Sequence, residues 1–295
     1  MKYINDGDLE FIMGKYHDPG KPFDPLHRFV CREDIFDKST GLSPAIIKER
    51  ILENDAANAG RSRILRKTDA SVFVLDNTRI LVSEHDYFPA VQCIDRTVGK
   101  TLVKMWQKET ESLFFPETAE EIALLDRTGA ASVYPDYDHS VPVWARILGL
   151  GFEGIRAEAE GLRRRLSGTA GITEKQDAFF EAVDREYSAV LRLIRRLSAL
   201  AESEEKRNAP SSEKTDGTTP DSKLHELGKE LLTVSAGPPK TFYGALLVIY
   251  IYFVVCEHID GLQTRSLSGL DRTLLPFYRR DLARGVPEEK LRTYL

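Results

Sequence analysis

The residues best placed to do chemistry follow the most apolar stretch of the chain. From Phe242 to Cys256 the sequence reads FYGALLVIYIYFVVC, fifteen residues without a charge. Behind it come Glu257-His258-Ile259-Asp260-Gly261 and then Leu262-Gln263-Thr264-Arg265-Ser266-Leu267. A polar run directly after a buried helix carries Gln263, Thr264, Arg265 and Ser266 into the interior. Polar groups there must find hydrogen-bond partners or line a pocket. Two readings of the charges stay open: Arg265 and Asp271 satisfy each other and nearby backbone, or they face the pocket.

Other chemistries lack their patterns. The histidines, at 17, 27, 85, 139, 225 and 258, never fall at H-x-x-x-H or H-E-x-x-H spacing, and a metal site needs three or four converging ligands. No metal-ligating residues are therefore assigned. There is no G-x-S-x-G and no phosphate-binding G-x-x-x-x-G-K-[ST], and a single G-x-G-x-x-G occurs, at 149–154. Gly149, Gly151 and Gly154 lie inside a helical pattern rather than after a strand, so close packing explains them better than a dinucleotide. The three cysteines, Cys31, Cys93 and Cys256, form no C-x-x-C, which fits a reducing cytoplasm better than a disulfide framework. Cys256 reads as a small buried hydrophobe.

These residues need elements to hold them. The chain has 295 residues, 42% of them hydrophobic, enough for a sizeable core. Its 41 basic and 46 acidic side chains give a net charge of -5, which offers no footprint for nucleic acid. Fifteen apolar residues fall short of the ~20 that a membrane-spanning helix needs, and the segment carries three tyrosines. It reads as a buried helix, and no membrane partner is expected.

Residues 1–40, rich in Pro, Gly and Asp, read as an irregular arm. Region 41–201 reads as helical. Ser43-Pro44 starts a helix with Ile47 and Ile51 on one face, and SVFVLDNTRILVSE at 71–84 has the pattern of a β-hairpin turning at Asp76-Asn77-Thr78. Helices are expected at Val98–Lys108, at Pro116–Arg127 and from Pro142 to about Leu166. Thr173 and Gln176 make a capping box, behind which Phe180, Val183, Tyr187, Val190, Ile194 and Leu197 mark a long amphipathic helix. Residues 202–222, dense in Ser, Thr, Glu, Lys and Pro, read as a mobile linker. In 223–295 a short helix, a Gly237-Pro238-Pro239 break, the apolar helix and a helix with Leu274, Leu275, Phe277 and Tyr278 follow. Pro287-Glu288-Glu289 opens one more, and the sequence stops within it without a capping Gly, which suggests truncation.

With those motifs in place a resemblance becomes specific. T-F-Y-x-A-L from Thr241, the apolar helix, and S-L-x-x-L-D-x-x-L-x-P-F-Y-x-x-D from Ser266 to Asp281 resemble a stretch of the glycyl radical enzymes of the pyruvate formate-lyase family. Asp138-His139-Ser140-Val141-Pro142, with Ile147-Leu148-x-x-Gly151-Phe152-x-Gly154-Ile155, is similar to that family's G-H-x-x-P-D-Y-x-x-V-L-x-x-G-x-x-G-I segment. Phe88-Pro89-Ala90 also fits its N-terminal region. The departures are Ser268-Gly269 for Gly-Arg, Arg272 for Gln, Asp138 for Gly and Val143-Trp144 for Asp-Tyr.

The resemblance implies an α/β, predominantly helical chain, the N-terminal part of a glycyl-radical-enzyme-type α/β barrel wrapped in helices. It implies radical lyase or dehydratase chemistry in the complete enzyme, with no bound cofactor but a glycyl radical installed by a radical SAM activating enzyme. The reactive cysteine and glycine would lie beyond Leu295, leaving this chain without catalytic residues. Gln263 and Thr264 match a pair, usually His-Ser, that touches substrate in some dehydratases. His139 matches another pocket residue. Expected partners are a small-molecule substrate, the activase, and a C-terminal half or a second copy. The competing reading is a non-catalytic interaction or assembly protein derived from that family.

Overall fold

The structure, a computed structural model, describes residues 4–16, 31–92, 98–114, 116–130, 141–169, 171–208, 222–256, 267 and 269–295. The long amphipathic helix is its axis. This helix, α7 (Glu174–Asn208), buries Ala189, Val190, Leu193, Ile194, Leu197 and Ala201, a stripe recurring every three or four residues. The capping box forms as expected: the Gln176 amide N–H donates to Thr173 Oγ1 (3.2 Å), and the Thr173 N–H donates to Gln176 Oε1 (2.9 Å).

Around α7 pack α3 (Arg63–Asn77), α6 (Trp144–Thr169) and α8 (Lys223–Ala236). In an outer layer, α2 (Pro44–Ala57) lies on α3, while α9 (Phe242–Phe253) lies between α8 and α10 (Leu270–Ala283). Ser43 caps α2 by accepting the Ile46 N–H, with Pro44 in the first turn and Ile47 and Ile51 buried. A π-helical stretch at Val98–Val103 leads into α4 (Lys104–Phe114), then come α5 (Ala119–Thr128) and, near the C-terminus, α11 (Glu288–Arg292). α9 is buried over most of its length, and among the described residues no helix is long and apolar enough to cross a membrane.

Three expectations need correction. The segment expected as the first arm of a hairpin is the second half of α3. Ala70, Ser71, Val74 and Leu75 are buried, a helical rather than an alternating pattern. β-Branched residues favour strands only where a pleated surface receives them, and here the surface on offer is α7. Arg192 of α7 grips Asp76 with two bonds (2.9 and 2.8 Å), and the expected turn is the end of α3, with Asp76 and Asn77 helical and Thr78 the extended residue that caps it. A short antiparallel pair does form just beyond: β1 (Ile80–Leu81) pairs with β2 (Ala90–Val91), Ile80 opposite Val91 and Leu81 opposite Ala90. No barrel strand lies among the described residues.

The arm is not irregular throughout, because α1 (Asp6–Tyr16) is helical. Asn5 and Asp8 cap it reciprocally, and its buried residues are the charged Asp8 and Lys15. A helix anchored by charge shows no apolar stripe. The linker also starts later than expected: α7 runs to Asn208, supported by Lys206–Glu202 (2.6 Å) and Arg207–Glu204 (2.8 Å) pairs one turn apart. Residues 209–221 lie outside the described residues.

Candidate functional site

His139, Gln263, Thr264 and Arg265 lie outside the described residues. Asp271 is described: it is exposed in the first turn of α10, two residues after the N-cap Gly269, whose φ of 68° is left-handed. A carboxylate there complements the helix dipole. What the structure does place are the elements on which the polar segments begin and end.

Those ends share one corner. Trp144 opens α6 and is 3% exposed. Its ring meets Tyr252 nearly edge-on at 5.2 Å and Phe253 at 5.8 Å. Tyr252 and Phe253 form the last turn of α9, which runs on as a π turn at 254–256. Such turns widen a helix and recur at functional sites. α10 contacts both α6 and α9. The segment carrying His139 therefore ends, and the segment carrying Gln263 and Thr264 starts, around one buried indole. Cys256 is half-buried at this corner.

The two halves of the 241–281 motif are bonded to each other. Asp281, 4% exposed, accepts the Phe242 N–H on Oδ2 at 2.7 Å and so caps α9 from α10. Thr241 caps the same helix from within, accepting the Gly244 N–H and donating to Glu230 Oε2 (2.9 Å). Burial raises the Glu230 carboxyl above its ordinary range, and the nearby Glu226 and Asp281 charges add to the rise. The Phe242 and Tyr278 rings meet edge-on at 5.7 Å. Much of this motif is thus a structural joint.

Gly151 locks the other side of that joint. It sits inside α6 with φ 66° and ψ 175°, and a Cβ there would lie 2.6 Å from the Gly237 carbonyl oxygen. The expected close packing is real, but it is made by one glycine against the α8–α9 connection. At Gly149 a Cβ would meet nothing.

A second knot was not visible in the sequence. The β1–β2 loop, which carries Phe88-Pro89 just ahead of Ala90, is tied down from α1, α8 and α9 and by Tyr294 beyond α11. Lys15 of α1, with its side chain 1% exposed, pairs with Asp86 (2.8 Å) and donates to the Phe88 carbonyl (3.1 Å). Burial works against the Lys15 charge, but Asp86 together with the neighbouring Tyr16 and Cys31 outweighs it and holds the ammonium's pKa up. Asp8 pairs with Lys223 of α8. From α9, the Tyr243 and Tyr250 hydroxyls donate to the Tyr87 and Pro89 carbonyls, and burial pushes both phenols well up. Tyr294, past α11, stacks on Tyr243 at 4.6 Å and donates to Glu226 (2.7 Å). Charged and tyrosyl residues at such sequence distances leave no local signal. Among the described residues no group of three or more His, Cys, Asp or Glu could hold a metal ion.

The family model for pyruvate formate lyase-like proteins matches residues 77–294. The chain belongs to that family. Among solved structures it is similar to a glycyl radical enzyme from Archaeoglobus fulgidus (TM-score 0.65, 19% identity, 88% of this chain and 38% of that one). It is also similar to the B12-independent glycerol dehydratase from Clostridium butyricum (TM-score 0.58, 16% identity, 87% and 39%). A third is hydroxyproline dehydratase from Clostridioides difficile, solved with trans-4-hydroxy-L-proline bound (TM-score 0.62, 13% identity, 84% and 36%). The probable dehydratase YbiW of Escherichia coli is 26% identical over 136 residues, 46% of this chain and 16% of that protein. The chain thus spans well under half the length of these relatives, and at such identities the structural likeness speaks to fold. The corner at Trp144 and the 241–281 joint both lie inside the matched residues.

Proposed function

We propose that this chain is the N-terminal, pyruvate formate lyase-like portion of a glycyl radical enzyme, and that it supplies scaffold and one wall of the substrate pocket. The observation carrying this reading is the family match over 77–294 in a chain that spans under two fifths of the solved relatives. In this reading His139, Gln263 and Thr264 face a small hydroxylated substrate, held by the elements that meet at Trp144. Arg265 and Asp271 serve the polar scaffold around them. The thiyl cysteine and the radical glycine come from polypeptide outside this chain, either a C-terminal portion or a separate half, and a cytoplasmic radical SAM activase installs the radical. Gln263 cannot take up or release a proton near neutral pH as histidine does, so the substrate differs from those of dehydratases with His at that place.

The test is anaerobic incubation of the chain with an activating enzyme, S-adenosylmethionine and a reductant, followed by electron paramagnetic resonance and assays on diols. The chain alone should give neither a glycyl radical signal nor turnover. In the complete enzyme, Gln263→Ala should raise KM. Turnover by the 295-residue chain alone would overturn the proposal, as would unchanged kinetics in the Gln263→Ala enzyme.

A further inference from the structure

A buried donor atom and a buried acceptor atom without hydrogen-bond partners belong to two cross-strand neighbours at the end of the small sheet. The pairing of Ile80 with Val91 and Leu81 with Ala90 continues one step further, since the Gln92 N–H donates to the Arg79 carbonyl at 2.9 Å. Arg79 and Gln92 are therefore cross-strand neighbours. Their side chains share the face of Leu81 and Ala90, with Cβ atoms roughly 5 Å apart. Leu81 and Ala90 pack with Cys31 and Phe36, so that part of the face is apolar.

Beyond it Arg79 is half-buried and Gln92 buried, and one side-chain atom of each is unsatisfied. Arg79 Nε and Gln92 Oε1 are both buried and neither makes a hydrogen bond. Gln92 as a whole is 3% exposed. Its backbone is spoken for, because Thr78 Oγ1 donates to the Gln92 carbonyl (3.2 Å). Among the described residues no carboxylate pairs with the Arg79 guanidinium. A second cation stands close by: Arg196 donates to the Leu75 (2.7 Å) and Thr78 (3.0 Å) carbonyls. The Asp76 carboxylate nearby is taken up by Arg192.

We propose that Arg79 and Gln92 form a binding site for a small oxyanion that keeps a hydroxyl group, hydrogen phosphate or bicarbonate. The preference for an anion comes from the Arg79 guanidinium, which no carboxylate among the described residues neutralises and whose buried Nε–H lacks an acceptor. The hydroxyl requirement comes from Gln92, whose carbonyl oxygen accepts but cannot donate. The anion takes the Arg79 N–H on one oxygen and donates its own O–H to Gln92 Oε1. The test of this site does not depend on radical chemistry.

Sulfate decides the matter, because it matches hydrogen phosphate in size and charge near neutral pH but has no proton to donate. Calorimetric titration of the chain at constant ionic strength should show saturable phosphate binding and sulfate binding weaker by about tenfold, the usual cost of leaving a buried acceptor facing an anion. A parallel bicarbonate titration tells which of the two ions fits better. Arg79→Gln should abolish binding of all three, and Gln92→Leu should erase the preference for phosphate over sulfate, with far-ultraviolet circular dichroism confirming the fold. If Gln92→Leu does not fold, the phosphate-to-sulfate ratio of the unmodified chain still carries the test. Equal binding of sulfate and phosphate overturns the proposal. So does binding that survives Arg79→Gln. No binding at millimolar anion also overturns it and leaves water as the partner of both atoms.

Discussion

Gly151→Ala should destabilise the fold far more than a one-methyl change suggests. The residue's φ of 66° and ψ of 175° lie in a region essentially restricted to glycine. Holding an L-residue there costs about 1–3 kcal/mol. The added methyl would also sit 2.6 Å from the Gly237 carbonyl oxygen, 2.8 Å from its carbon and 2.9 Å from the Pro238 nitrogen. These are backbone atoms, which cannot turn aside as a side chain would, and overpacking of this kind costs a further ~1–3 kcal/mol. Reduced freedom of the unfolded chain returns at most ~1 kcal/mol. The net expectation is a loss of about 2–5 kcal/mol, or roughly 5–15 °C in Tm for a chain of this size. Urea denaturation followed by circular dichroism measures it. Gly149→Ala, two residues earlier on the same helix, is the control: its Cβ meets nothing within 4 Å, so the substitution should be neutral or stabilise by ~0.5–1 kcal/mol. If Gly151→Ala unfolds within about 0.5 kcal/mol of wild type, then either the backbone conformation or the close approach to Gly237 is wrong.

Other perturbations follow from the same geometry. Lys15→Met strands Asp86 in the interior and should cost about 3–5 kcal/mol by urea titration; adding Asp86→Leu should recover only part of it, since Asp86 also accepts the Phe88 N–H. Burial raises Glu230 in the folded state, so its stabilising share is fully present below the unfolded value near 4.5 and is lost as pH rises through the folded value. Glu230→Gln keeps an oxygen for the Thr241 hydroxyl, and its stability by thermal melts should match wild type near pH ~4 and exceed it near pH ~8. Asp281→Ala leaves the Phe242 N–H unsatisfied and should cost about 1–3 kcal/mol; Asp281→Asn, still offering an acceptor, should cost less. Trp144→Ala should cost about 3–5 kcal/mol, and hydrogen exchange should rise at the end of α9 as well as the start of α6, because the indole packs on both.

Periodicity and local caps were sufficient for the helical frame. The stripe on α7, the Thr173–Gln176 box, the Ser43 cap and the buried character of 242–253 each depend on residues a few positions apart, and each is present in the fold. The family was legible too, because T-F-Y and P-F-Y-x-x-D are short and specific. Tertiary structure decided what local patterns could not. Residues 71–77 became helix because α7 offered a groove rather than a pleated edge, and α1 formed because Asp8 and Lys15 found partners at Lys223 and Asp86. The meaning of Asp281 as a cap for α9, of Gly151 as a seat for Gly237, and of Arg79 and Gln92 as unsatisfied neighbours depends on contacts between residues far apart in the chain. Spacing along a sequence reports which face of an element is apolar; it carries no record of which distant group will stand opposite a buried charge.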